Sequence, residues 1–400
     1  MKKVELLAPA GDFERLRFAI LYGADAVYIG GQNYSLRANS TNFSIKEIEE
    51  ACKYVHDRNK KIYVAVNIVF HNEDVGGLEN YLIDLYKCKV DAIIVSDPVV
   101  ISIARKVIPK MEIHISTQQS TMNYESANFW KNEGVTRIVL ARELNKDDIK
   151  MIVEKSGLEV ETFIHGAMCV SYSGRCVLSN YFTNRDSNRG GCSQICRWNF
   201  DLYNETEKIN DSTCFSIAVK DLNMCSKINE LIDIGVSSLK IEGRMRSIYY
   251  ISNVINIYRK IIDSYYNNIN IDIDSCNYEL FRCANRDAVV QYFDKKPGVE
   301  EQYYLDRDEV SNKDFLGLVI DYDDLNKEII VEQRNYFKAG DFITIFGPNT
   351  SKFSFKVEYI KDEDKNIIDV ARHPQQVVRI PCNKRVYKDD IIRVKFTIDI

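Results

Sequence analysis

The sequence predicts an α/β chain: a (β/α)8, TIM-like barrel followed by a small C-terminal antiparallel β-barrel domain. Three observations carry this expectation. Eight short apolar runs alternate with longer amphipathic stretches over residues 1–265, and a closed parallel barrel needs eight strands, each followed by a helix or long loop. The first turn, APAGDFERL, has one glycine and no GxGxxG, which argues against a dinucleotide-binding doubly wound sheet. From Phe315 the pattern changes to closely spaced β-type runs.

The apolar runs are VELLA (4–8), DAVYIG (25–30), KIYVAVN (61–67), DAIIVS (91–96), EIHIST (112–117), RIVLA (137–141), VETFIH (160–165) and SLKIEG (238–243). A further run, CFSIAV, lies at 214–219. Between them sit amphipathic stretches such as DFERLRFAILYG, SIKEIEEACKYVHDRN and NYESANFWKNEG. Several end in glycine, a common helix stop. Residues 166–200 form a cysteine-rich loop within this barrel, and residues 266–312 read as a polar, irregular connecting segment. In 313–400, the runs FLGLVIDY, KEIIVEQ, DFITIFG, FKVEYI, NIIDVAR and DIIRVKF are separated by Asp-Asp, Ala-Gly-Asp and Gly-Pro-Asn turns. That alternation predicts a small antiparallel barrel or sandwich.

A net charge of −5 and a pI near 5.7 argue against a generic polyanion-coating protein. They leave room for a local basic patch. At the N-terminus Glu5 interrupts the apolar run, and Asp12, Glu14, Arg15 and Arg17 follow closely, so no signal-peptide core forms. No apolar run is long enough to span a membrane. The expected location is the cytoplasm, where thiols stay reduced and clustered cysteines read as metal-binding or catalytic before they read as disulfides.

Barrel active sites lie where strands end and βα loops begin. Those ends carry Asn67, Ser116, Thr117, Gln118, Arg142, His165, Lys240, Glu242 and Arg244. Arg142, Lys240 and Arg244 are donors suited to an anionic ligand. His165 and Glu242 are the candidate acid–base groups, and Glu242 could equally be tied in a salt bridge.

Four of the eleven cysteines fall within 165–198, where even scattering would put about one. Their spacing is Cys169-x6-Cys176-x15-Cys192-x3-Cys196, starting just past the seventh strand. Four thiolates can complete a tetrahedral zinc site or hold an iron–sulfur cluster. A lone nucleophile beside His165, or simple packing, are the other readings. Structural zinc sites use two tight knuckles and only one pair here is tight, so the spacing favours a cluster over zinc. Arg175, Arg185, Arg189 and Arg197 against the single Asp186 would offset anionic thiolates. Cys225 and Cys214 are spare candidates for the fourth ligand.

The stretch ETFIHGAMCVSYSGRCVLSNYFTNRDSNRGGCSQICRW closely resembles the signature of the U-32 peptidase family, the collagenase-like proteins. ELLAPAGDFERLRFAILYGADAVYIGG, VAVNIVFHNED, HISTQQS, VKDLN, SLKIEGRMRSIYY and the tail segment HPQQVVRI extend the resemblance over nearly the whole chain. The family name implies a peptidase. Several members are instead linked to oxygen-independent hydroxylation of a tRNA wobble uridine, a ribosomal RNA cytidine or ubiquinone precursors. The resemblance therefore implies a 4Fe–4S cluster on Cys169, Cys176, Cys192 and Cys196, with prephenate as the oxygen-donor cosubstrate. The length and C-terminal domain look most like the tRNA uridine hydroxylation members.

Two functions follow as expectations. In the first, the chain forms 5-hydroxyuridine in a tRNA anticodon loop. Arg142, Lys240 and Arg244 would hold prephenate's carboxylates, and Arg185, Arg189 and Arg197 would contact phosphates. An accessory protein or a homo-oligomer could complete it. In the second, it is a metal-dependent, collagenase-like peptidase. No HExxH occurs, and none of the five histidines pair at ligand spacing.

Overall fold

Each of the eight apolar runs of residues 1–265 becomes one strand of a closed parallel sheet. The computed structural model describes residues 3–36, 42–210, 214–284, 286–303 and 314–395. The strands are β1 (Glu5–Pro9), β2 (Ala26–Gly30), β3 (Lys61–Val66), β4 (Ala92–Val95), β5 (Glu112–Ile115), β6 (Arg137–Val139), β7 (Glu159–Gly166) and β8 (Ser238–Ile241). They pair in chain order, and β8 pairs with both β7 and β1 to close the cylinder.

The helices form where side-chain caps satisfy their first backbone N–H groups. In α1 (Phe13–Leu21) the cap is Asp12, which accepts from Arg15 N at 2.8 Å. In α2 (Ile45–His56) Ser44 and Glu47 cap one another reciprocally. Outward strand residues such as Leu6, Val27, Val64 and Ile93 pack under these helices in one continuous core. A long helix, α3 (Ile248–Tyr266), follows β8 and is buried along most of its length.

Inward residues follow the period of two. Leu7, Ala26, Tyr28, Tyr63, Ala92 and Ile94 make one inner cluster. Much of the rest of the interior is charged, unlike the branched aliphatic filling common in such barrels. Arg137 bonds Glu5 at 2.6 Å, Glu159 at 2.7 Å and Glu161 at 3.1 Å. Tyr63 and Ser238 donate to the Glu5 carboxylate.

Within the stretch 266–312, which reads as irregular in sequence, a helix forms at α4 (Ile273–Arg282) and packs on α3. The short strand Ala288–Val289 joins Asp221–Asn223, which itself extends the sheet beside β7. The C-terminal unit is an eight-stranded antiparallel sheet curved as a half-barrel around its own core, including Ile329, Val331, Ile343, Ile380 and Ile392. It contacts the barrel unit through three pairs: Tyr249 stacks on Phe315, Arg282 pairs with Asp314, and Arg393 pairs with Glu279. Among the described residues no helix is long and apolar enough to cross a membrane.

Candidate active site at the barrel mouth

The strand ends and the cysteine loop enclose a cavity of about 460 Å³. Its wall includes Arg142, Lys240, Glu242 and Arg244 from strand ends, and Cys169, Arg185, Cys192 and Arg197 from the loop. Eight of the predicted site residues are thus brought together at one opening. Asn67, Ser116, Thr117 and Gln118 complete the polar rim.

Lys240 forms the cationic floor. Its Nζ lies 2.7 Å from Glu161 and sits over the Tyr28 ring at 4.5 Å. Burial lowers the Lys240 ammonium pKa, against the pull of Glu161. Burial alone would raise the Glu161 carboxyl, but Lys240, Arg137 and His114 outweigh it and hold it below the ordinary range. Arg142 sits over Phe163, its Cζ 3.8 Å from the ring centroid, and donates to Ala167 O. Arg244 donates to Leu36 O. Gly30 makes room for it: a Cβ there would stand 2.2 Å from the Arg244 guanidinium.

Tyr28, Phe163 and Glu161 escaped the sequence reading. The signal was the alternation along β2 and β7, where 26/28 and 159/161/163 share the inward face.

His165 is not brought to this cavity. By alternation it should follow Glu161 and Phe163 inward, but the register shifts between β7 and β8: Lys240 pairs with Phe163, then Ile241 with His165. The extra residue, Ile164, reverses the parity. His165 therefore faces α3, 3.1 Å from the Tyr258 hydroxyl, and lines a neighbouring cavity with Asn223 and Asn277. Burial, and then the charge of Arg246, lower its pKa to about 3. A base that weak, so placed, does not act on a ligand held at the mouth.

The loop is fixed to the barrel on two sides. Gly174, in the left-handed region at φ +74°, lies against the turn after β5, where a Cβ would meet Gln118 O at 2.1 Å. On the other side Arg189 bonds Asp74 and donates to Val69 O. Arg189 is thus committed to a clamp and does not line the cavity.

The four thiols stay close enough to feel one another. Burial raises the Cys169 thiol pKa, and the Cys196, Cys192 and Cys176 sulfurs raise it further. Cys169 has surface open to solvent yet lies at the meeting of two cavities, so its sulfur is well surrounded. Among the described residues the set of three ligand-type groups within 4.8 Å of one another is His71, Glu73 and Asp74; no three of the loop's sulfurs form such a set. Four thiolates can hold a zinc ion or an iron–sulfur cluster, and a cubane binds each thiolate through a different iron. The donor set fits an iron–sulfur cluster. Cys225 is no substitute ligand: it is buried against Cys276, whose sulfur and then burial raise its pKa.

The sequence pattern of Peptidase family U32 matches residues 11–303, and that of the family's C-terminal domain matches 311–393. The chain belongs to peptidase family U32. Family resemblance extends to named relatives. The tRNA hydroxylation protein P1 of Bacillus subtilis (strain 168) is 47% identical over 98% of this chain and 95% of its own. The 23S rRNA 5-hydroxycytidine C2501 synthase of Escherichia coli (strain K12) is 40% identical over 66% of this chain and 40% of its own. A protein named Collagenase from Porphyromonas gingivalis is 30% identical over 96% of both chains.

Proposed function

We propose that this U32 protein is an RNA-modifying enzyme that hydroxylates a base, forming 5-hydroxyuridine at the wobble position of tRNA without molecular oxygen. Two observations carry this reading: the chain matches a tRNA hydroxylation protein over 98% of its length at 47% identity, and its cavity combines cations with Cys169 and Cys192 of the four-cysteine loop. An anticodon loop already presents its bases unstacked, so little energy is needed to place one in the cavity.

Cys169, Cys176, Cys192 and Cys196 would hold a 4Fe–4S cluster, which supplies one-electron chemistry beside the cavity. Arg142, Lys240 and Arg244 bind the carboxylates of a small anionic cosubstrate, prephenate, through charge-assisted hydrogen bonds. Glu161 keeps Lys240 oriented toward that anion. Phe163 and Tyr28 give the floor apolar faces against which a ring can lie. Glu242 remains the candidate proton carrier at the rim. Arg185 and Arg197 meet the RNA backbone; Arg189 shapes the loop instead. The protein works in the cytoplasm on this reading, alone, as a homo-oligomer or with an accessory protein.

The test is the nucleoside profile of tRNA from a deletion strain. Loss of 5-hydroxyuridine-derived wobble bases, restored by the wild-type chain and not by Lys240→Ala, is expected. An unchanged profile overturns the reading. The peptidase alternative draws on the relative named Collagenase, but no histidine lines the mouth cavity. Hydrolysis of gelatin by the purified protein, abolished by Lys240→Ala, would restore that alternative.

A further inference from the structure

We propose that Tyr181, Phe182 and Trp198 form a stacking platform for the unpaired nucleotides that flank the base entering the mouth cavity. The inference rests on the RNA reading above and adds the surface that would grip single-stranded RNA. These large rings stand in solvent: Tyr181 is 83% exposed, Phe182 49% and Trp198 45%. Single exposed aromatics are ordinary, but a contiguous group marks an interaction site. Phe182 is the hub, with ring centroids 5.1 Å from Tyr181, 6.5 Å from Trp198 and 6.1 Å from Phe200.

The platform is held in shape. Tyr181 and Phe182 lie on a short helix, Leu178–Thr183, and Trp198 ends the turn Ile195–Arg197. Ser193 ties the two together: its N–H donates to Ser179 Oγ at 3.0 Å, and its hydroxyl meets Thr183 Oγ1 at 3.0 Å. Folding therefore spends hydrogen bonds on presenting apolar rings to water, which a purely structural loop has no reason to do.

Charge decides the occupant. Arg197 adjoins Trp198 in the chain and Arg185 lies three residues after Phe182, and both line the mouth cavity, which links the platform to it. The loop carries arginines while the chain as a whole is at −5. Aromatic faces interleaved with guanidinium groups suit a strand offering π faces and phosphates in alternation. The occupant that fits is an unpaired RNA segment, with its target base in the cavity and its neighbours on the rings.

The chain's two tryptophans make the test direct, because Trp130 is buried and Trp198 is not. The cluster-loaded protein is titrated with a labelled anticodon stem-loop and with a fully paired hairpin, following anisotropy and tryptophan emission. Stem-loop RNA should quench emission in the wild type and in Trp130→Phe, but not in Trp198→Phe. Replacing Tyr181, Phe182 and Trp198 together with alanine should weaken stem-loop binding at least tenfold, with visible absorbance and circular dichroism unchanged. Stem-loop binding that is tight but indifferent to these substitutions overturns the platform and leaves the RNA reading standing. Loss of self-association with RNA affinity unchanged also overturns it, by making the patch an interface between copies. A wild type that binds neither RNA overturns the RNA reading itself.

Discussion

Lys240 Nζ lies 2.7 Å from Glu161 Oε1, with both side chains closed off from water inside the barrel. Arg137 approaches the other carboxylate oxygen at 3.1 Å, so one buried anion serves two cations. Removing that anion strands Lys240, while Arg137 keeps Glu5 and Glu159. Glu161→Gln is expected to cost about 3–5 kcal/mol of stability, the range for breaking a buried pair from one side. Urea unfolding measures this, and a loss under about 1 kcal/mol would mean that the network is not held as an ion pair.

Cys169→Ala should abolish both the visible absorbance of anaerobically purified protein and wobble-base hydroxylation. Cys225→Ala should keep both, because its sulfur is buried against Cys276 away from the loop. Iron and sulfide content of the two variants separates these outcomes. Full iron content in Cys169→Ala would remove this cysteine from the ligand set.

His165 predicts a pH dependence of stability. Its folded pKa is about 3, against roughly 6.5 in an unfolded chain. Between these values the unfolded state binds a proton that the folded state refuses. Stability is therefore complete above about pH 6.5 and falls with falling pH. The drop from pH 7.5 to 5 should be about 2 kcal/mol. His165→Gln should flatten this part of the curve while leaving the other titrating groups in place. Parallel curves for the two proteins would show that His165 protonates freely in the fold.

The Asp74–Arg189 pair tethers the cysteine loop to the segment after β3. Arg189 holds the Asp74 carboxyl below its ordinary pKa chiefly through this hydrogen bond. The tether is partly exposed, so Asp74→Ala should change global stability by no more than about 1 kcal/mol. It should nevertheless speed proteolysis within 170–200 several-fold, because it frees the loop locally. The swapped pair Asp74→Arg with Arg189→Asp should restore resistance. Equal cleavage rates in all three proteins would show that the loop is held elsewhere.

Some of the site was legible in sequence because it follows from local rules. Apolar runs cut by polar helical stretches encode strands and helices, and strand ends in a parallel barrel must share one rim. Arg142, Lys240, Glu242 and Arg244 could be placed there on that ground alone. Caps such as Asp12 and Ser44 are equally local. The helix Ile273–Arg282 was harder to see, since its apolar positions are sparse and its burial comes from packing on α3.

The sequence by itself thus determined the barrel, its small antiparallel β appendage, the rim and the loop of four thiols. Tertiary structure alone decided which face His165 takes, who holds Arg189, where Cys225 is buried and how Glu161 joins Lys240 to Arg137. The physical reason is common to all four. Each depends on strand register or on a partner distant in the chain, and a single extra residue in β7 reverses which side of the wall a side chain faces.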